Sequence, residues 1–269
     1  MTPSCNRRLC LGALVGAGWA GARAEANQLV LVPNDVLQDF DRFLAGRDPL
    51  LLQQFGGPHA RRDVVELALL LQALALGGIR STPQRAGMPS VPRLVRELAQ
   101  AQGLCSGTTY WREDLHEPAD LLLSRTMVAD GEFVAGIYTR PARADVLAVQ
   151  SLDELRRLRF VSNRHWRVDW ATLQGLGIEQ LAHADTWEAM PRMLAAGRAD
   201  VVLAPFQPSA DLSIEVDGVR LVPIPGLKLG LRGTRHYLVS RRHPLGQAWL
   251  AALDAGLQQL QAQGLVQRA

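Results

Sequence analysis

The chain is poor in sulfur, with three cysteines in 269 residues: Cys5, Cys10 and Cys105. Two of them lie in the first 26 residues, so a chain that loses this segment keeps one thiol and forms no internal disulfide. About 240 remaining residues bury roughly 70–75% of their unfolded surface and need no such staple. Lysine is almost missing, Lys228 being the only one, and the positive charge is arginine scattered along the chain. No basic cluster of the kind that tracks a phosphate backbone appears, which excludes nucleic acid as a partner. The apparatus of most enzyme classes is also missing. His59, His116, His165, His183, His236 and His243 follow no H-E-x-x-H or other close metal-ligand spacing, and there is no G-x-S-x-G elbow. Glu113 and Asp114 are adjacent and on a strand would point to opposite faces, a poor acid/base pair. Cys105, beside Ser106, reads as a buried, inert thiol. No metal, no cofactor and no catalytic residue is expected.

No apolar run is long enough to span a bilayer, which takes roughly 20 residues; the stretch Leu9 to Trp19 is too short. What the N-terminus does contain is ordered. Arg7 and Arg8 supply positive charge, the short apolar stretch follows, and small residues lead into Ala22-Arg23-Ala24 and Ala24-Glu25-Ala26. Charge, apolar core and A-x-A sites in that order read as a secretory signal peptide over residues 1–26, cleaved near Ala24 or Ala26, and the expected location is periplasmic. The Arg7-Arg8 pair leaves both general secretion and twin-arginine export open. Gly16 to Gly21 matches G-x-G-x-x-G but lies inside the leader, without the strand, helix and distant acid that a dinucleotide site requires. Loss of the leader takes Arg7, Arg8, Arg23 and Glu25, so the formal charge of +3 falls to about +1.

The mature sequence alternates strand-like and helix-like stretches, which predicts an α/β protein. Gln28 to Pro33 reads as a strand ended by the turn cluster Pro33-Asn34-Asp35. Asp63 to Leu76 is apolar all round and predicts a buried helix, stopped by Gly77-Gly78. A second helix is expected over Pro92 to Ala101, then a strand over Phe133 to Tyr138. Ser151-Leu152-Asp153-Glu154 is a capping box opening a short helix. Strands Arg159 to Ser162 and Ala199 to Ala204 bracket a helix Trp187 to Ala196, closed by Gly197. A late strand, Tyr237 to Ser240, precedes an amphipathic helix Ala248 to Gln261 that carries Leu250, Leu253, Leu257 and Leu260 on one face.

Taken together, Leu152-Asp153-Glu154-Leu155, Phe160-Val161, Asp185 to Met190, Leu194 to Val202 and the closing strand and helix resemble the type II periplasmic solute-binding proteins. The likeness is closest to the polar-amino-acid-binding branch that serves ABC transporters. It implies two α/β lobes, each a central sheet flanked by helices, joined by two crossover strands. Residues 27–135 with 236–269 would form lobe 1, and 136–235 lobe 2. It also implies an exported, monomeric protein that captures a small polar or anionic solute by hinge closure and passes it to a membrane permease or a sensor receptor. Ligands of such folds sit at strand ends and helix N-termini. The candidate contacts are therefore Asn34, Asp35, Tyr110, Trp111 and Arg112 in lobe 1, Tyr138 and Arg140 at the crossover, and in lobe 2 Ser162, Asn163, Arg164, Trp166, Asp185, Thr186, Trp187, Phe206 and Gln207.

Each candidate also has a structural reading. The tryptophans can be packing, Arg112 or Arg164 a carboxylate clamp or a solvated side chain, Asp185 and Thr186 an N-cap, and Asp35 a turn residue. Asp200 reads as a local hydrogen-bonding residue before its strand. One departure from the family concerns the ligand: after the Gly197-Arg198-Ala199-Asp200 element the chain continues Ala204-Pro205-Phe206-Gln207, without the acid that pairs with an α-amino group. Asp35, Glu113 or Asp114 could substitute. The alternative functions are a periplasmic lyase or dehydratase on the same scaffold and a ligand-binding sensory accessory protein.

Overall fold

The computed structural model describes residues 28–115, 118–207 and 209–269. Its strands are β1 (Leu29–Pro33), β2 (Gln84–Met88), β3 (Cys105–Ser106), β4 (Tyr110–Trp111), β5 (Leu121–Leu123), β6 (Val134–Thr139), β7 (Phe160–Ser162), β8 (Leu181–His183), β9 (Val201–Pro205), β10 (Ile214–Val216), β11 (Val219–Gly230), β12 (Arg235–His236) and β13 (Leu238–Ser240). Its α-helices are α1 (Asn34–Leu44), α2 (Arg62–Leu76), α3 (Val91–Ala99), α4 (Ala144–Leu147), α5 (Leu152–Arg156), α6 (Arg167–Gly175), α7 (Ala189–Ala195), α8 (Gly246–Ala262) and α9 (Leu265–Arg268). The leader, with Arg7, Arg8 and both A-x-A sites, lies outside the described residues.

The strands form two main sheets. One runs β2-β1-β3-β13-β5, with β1 parallel to β2 and β3 and with β13 antiparallel to β3 and β5. The other runs β10-β11-β6-β9-β7-β8, with β7 parallel to β8 and β9. Residues 124–133 and 231–237 carry the chain between the sheets, and the short antiparallel ribbon β4–β12 lies in the same region.

The first sheet is covered by α2, which is buried on nearly every face because α8 packs on its other side. Leu253, Leu257 and Leu260 of α8 are buried there and Leu250 is half-buried, as the amphipathic pattern predicts. The two helices approach through glycine. A Cβ on Gly256 would stand 1.8 Å from the Ala73 carbonyl oxygen, and one on Gly77 would stand 1.9 Å from that of Ala252. The backbones touch where side chains would hold them apart. The second sheet buries Phe160, Val201, Leu203, Ile137 and Leu173 on one face and Tyr138, Val161, Val202, Met190 and Leu194 on the other.

Several expectations need correction. Asn34 and Asp35 are not turn residues: they open α1, which buries Val36, Phe40 and Phe43 at helical spacing. Pro-Asn-Asp marks a helix start as readily as a turn, and the apolar stripe behind it decides. Glu113 and Asp114 lie on the 3-10 turn Arg112–Asp114, not on a strand. The helix expected from Trp187 begins at Ala189. The capping box is present as read, with Ser151 Oγ accepting the Glu154 N–H and Glu154 accepting the Ser151 N–H. Gly197 takes the expected left-handed conformation at φ +68° after α7.

Candidate functional site

Parallel strands place their carboxyl ends on one edge of a sheet, and in open α/β sheets ligand sites gather there. In the first sheet these ends lead into Asn34 and Asp35 after β1 and into Gly107 to Thr109 after β3. In the second they lead into Asn163 to Trp166 after β7, Ala184 to Trp187 after β8, and Phe206 and Gln207 after β9. The two edges meet where the 3-10 turn Arg112–Asp114 contacts α6: Asp114 Oδ1 accepts the Arg167 N–H at 3.0 Å, and Arg167 Nη1 lies 3.5 Å from the Glu113 carbonyl. Behind this contact Thr172 Oγ1 accepts the Arg232 N–H at 3.2 Å.

The lobe 2 loops are tied to one another by side chains. Asn163 is buried, its Nδ2 donating to the Asp185 carbonyl at 2.7 Å while its Oδ1 accepts the His165 N–H at 2.8 Å. Ser162 is buried at the end of β7. His183 accepts the Arg164 N–H through Nδ1 at 3.2 Å and faces Asp185 Oδ1 through Nε2 at 3.0 Å. That pair of contacts assigns the imidazole proton to Nε2. Arg164 is exposed, with its guanidinium 5.4 Å from the centre of the Trp170 ring. Thr186 Oγ1 accepts the Ala189 N–H at 3.3 Å, but it stands three residues before α7, whose cap position falls to Glu188 and not to Asp185 or Thr186. Trp166 and Trp187 are half-buried and pack on the face of the sheet that carries Tyr138, Val161 and Met190, as does Phe206. Gln207 Nε2 reaches its own loop at the Pro205 carbonyl, 3.3 Å away.

On the other side, Asp35 pairs with Arg61 at 2.6 Å, and Arg61 also faces Asp39 and Asp63. Asn34 is exposed at the start of α1, its Oδ1 filling the space a Cβ on Gly87 would need. Arg112 is exposed. Tyr110 is half-buried, its hydroxyl accepting from Thr108 Oγ1 at 3.0 Å, and burial pushes the phenol up to about 12.

Tyr138 is fully buried in the second sheet's core, with its ring 6.3 Å from that of Phe206 and its hydroxyl donating to the Leu212 carbonyl at 2.9 Å. Two candidates stand elsewhere. Arg140 lies at the wrong end of the sheet: the register pairs Ala135 with Pro205 and Tyr138 with Val202, so the chain after β6 emerges opposite the Phe206 end. Asp200 shares that far end, where its buried carboxylate accepts from the Arg159 N–H, Nε and Nη2 and from Arg143 Nη1. Those bonds outweigh burial and hold the carboxyl well below the usual range. Trp111 is buried rather than lining an open wall, its ring edge-on to Phe133 at 5.3 Å.

Trp111 belongs to a buried polar cluster beneath the meeting edges. The Arg235 guanidinium stacks 4.7 Å from the Trp111 ring centre and 5.7 Å from that of Phe133, and it donates to Thr109 Oγ1 at 3.0 Å. Glu66, one turn into α2, accepts the Thr109 N–H at 2.8 Å, the Thr109 hydroxyl at 2.6 Å and Arg62 Nη1 at 2.6 Å. Burial alone would lift the Glu66 carboxyl; Arg62, Arg235 and Thr109 bring it below the ordinary range. Burial, then the like charge of Arg62, lowers Arg235 to about 10. The signal for this cluster was one acid inside a Val64–Leu76 run that is otherwise apolar except for Gln72. Its partners, 43 positions along at Thr109 and in the second crossing at Arg235, are invisible to local patterns. Cys105 is buried, and burial pushes its thiol well above the usual range. Among the described residues no group of three His, Cys, Asp or Glu is placed to hold a metal ion, and no helix is long and apolar enough to cross a membrane.

No protein-family model matches the chain, and no curated protein matches it. Solved structures do. The periplasmic VFT2 domain of BvgS from Bordetella pertussis superposes with a TM-score of 0.57 at 20% identity, over 89% of this chain and 90% of that one. The chain has a two-lobed Venus-flytrap fold. An amino-acid ABC transporter substrate-binding protein from Streptococcus pneumoniae, solved with L-arginine, gives 0.53 at 14% identity over 90% of each chain. The probable amino-acid ABC transporter extracellular-binding protein ytmK of Bacillus subtilis gives 0.53 at 13%, over 90% of this chain and 96% of that one. At these identities the likeness is one of fold. The 3-10 turn Arg112–Asp114 with α6 is a point where the two halves of this fold touch.

Proposed function

We propose that this chain is an exported solute-binding protein that takes a small polar or anionic solute between its two lobes, residues 27–135 with 236–269 and 136–235, and hands it to a membrane permease or a sensor receptor. The observation that carries the reading is the pair of parallel-strand edges brought face to face by residues that cross between the sheets. Each edge ends in polar groups held by their neighbours: Asp35, Arg61 and Thr109 on one side, Asn163, His183, Asp185 and Thr186 on the other. The leader composition supports export, and the likeness to transporter-associated binding proteins supports capture rather than catalysis. In a second reading the same capture reports to a membrane sensor rather than to a permease. Of the candidate contacts we retain Asn34, Asp35, Tyr110, Arg112, Ser162, Asn163, Arg164, Trp166, Asp185, Thr186, Trp187, Phe206 and Gln207 for mutagenesis. The test is a thermal-shift screen over amino acids, amines, organic acids and sugars. A ligand at 100 times its Kd stabilises by about 2.7 kcal/mol. A chain that shifts with no solute but turns one over is an enzyme, and N-terminal sequencing of secreted protein that still begins at residue 1 disproves the leader.

A further inference from the structure

Helix α6 has nine residues and no side-chain cap of its own; Trp166 precedes it and offers no acceptor. Its first N–H groups are satisfied from the other half of the molecule. The Asp114 carboxylate accepts the Arg167 N–H at 3.0 Å, and the neighbouring Val168 N–H also favours its charged form. A carboxylate in that place satisfies orphan donors and meets the positive end of the helix dipole.

The turn that presents Asp114 is itself fixed to the crossing segment. The Arg112 N–H donates to the Thr234 carbonyl at 2.9 Å, and Glu113 Oε2 accepts the Thr234 N–H at 3.2 Å. Gly233 donates its N–H to Asp130 Oδ1 at 2.7 Å, and a Cβ there would meet Glu113 Oε2 at 2.8 Å and Val168 at 3.1 Å. Turn, crossing segment and helix therefore form one contact, joined by the Glu113 and Asp114 carboxylates and closed around Gly233. A second acid lies in the opening turn of α6: burial, and then the charge of Asp114, pushes the Asp169 carboxyl up. Arg235 attracts both acids, and Arg167 attracts Asp114.

We propose that Asp114 is a built-in latch, its carboxylate capping α6 across the cleft and holding the lobes together without a solute. The proposal rests on the solute-binding reading only in taking the opening that the latch restrains as the one that admits solute. Because the cap is made only when the lobes meet, its strength enters the closed-to-open ratio directly. An N-cap shifts such a ratio by on the order of fivefold.

The experiment is amide hydrogen exchange over residues 164–172, with small-angle scattering, on the full chain without added solute. Asp114→Ala is expected to speed exchange of the Arg167 and Val168 amides about fivefold and to enlarge the radius of gyration. Sodium acetate is expected to restore protection in Asp114→Ala, with sodium chloride at equal ionic strength doing nothing. Unchanged exchange and radius in Asp114→Ala overturns the latch. Should Asp114→Ala fail to fold, Asp114→Asn, which keeps an acceptor and removes the charge, is read instead, and unchanged exchange of the Arg167 amide there overturns the latch. The thermal-shift screen reads separately: a latch that behaves as described in a chain that no solute stabilises leaves the latch standing and removes the capture reading.

Discussion

Asp169 gives the most direct test of the electrostatics at the meeting edges. Its carboxyl is lifted from 3.8 to about 6, first by burial and then by Asp114; a hydrogen bond from its own N–H and the charge of Arg235 offset part of this. A carboxyl whose proton is held more tightly in the folded chain than in the unfolded one contributes stability at low pH. That contribution is complete below about 3.8 and is lost as pH rises through about 6, where the unfolded chain has already given up the proton. A rise from 3.8 to about 6 corresponds to about 3 kcal/mol. For a domain of this size each kcal/mol moves Tm by about 2–4 °C. Asp169→Asn keeps an acceptor for the helix N–H and removes the charge. Melting curves of both proteins from pH 4 to 8 are therefore expected to coincide near pH 4 and to separate by about 6–12 °C in favour of the variant at pH 7.5. Parallel curves across that range, or a variant that is less stable at neutral pH, would refute the reasoning.

Three further outcomes follow from packing. Gly256→Ala puts a methyl group 1.8 Å from a backbone carbonyl, so α2 and α8 must part; a loss of about 1–3 kcal/mol or more is expected by chemical denaturation, whereas Gly218→Ala meets no neighbouring atom and pays only for its positive φ. Glu66→Leu leaves Arg62, Arg235 and Thr109 facing an apolar group and is expected to cost about 3–5 kcal/mol, measured the same way. Asp200→Asn weakens the bonds to Arg143 and Arg159 at the end of the sheet away from the cleft. Its Tm is expected to fall while the Kd of any solute found in the screen stays unchanged, as titration calorimetry will show.

How much was legible follows the range of the interactions. Helix α2 could be read because a sandwiched helix needs apolar residues on every face, and α5 because Ser151 and Glu154 satisfy each other three residues apart. Strand β9 could be read from its uninterrupted apolar run behind Gly197. Strand β11 announces itself poorly: Pro223, Pro225 and Gly226 interrupt it, and its register shifts between Pro223 and Lys228. Strand β2, Gln84–Met88, shows no alternation because it sits at the sheet edge and buries little. At the site, Thr186 acts through a residue three positions on, yet the cap position expected of it falls to Glu188. Tyr138 and Arg140 could not be placed, since only the antiparallel register of β6 against β9 shows which end of the sheet they occupy.

By itself, then, the sequence determined what short-range periodicity and composition can specify: an α/β chain behind a leader-like N-terminus, with its apolar faces, caps and helix ends. Which charges meet was decided only by the tertiary structure. Asp114 caps a helix that begins 53 positions later, and Arg235 is buried against a threonine 126 positions before it. No local pattern encodes these pairs, because they exist only once two sheets have formed and the chain has crossed between them twice.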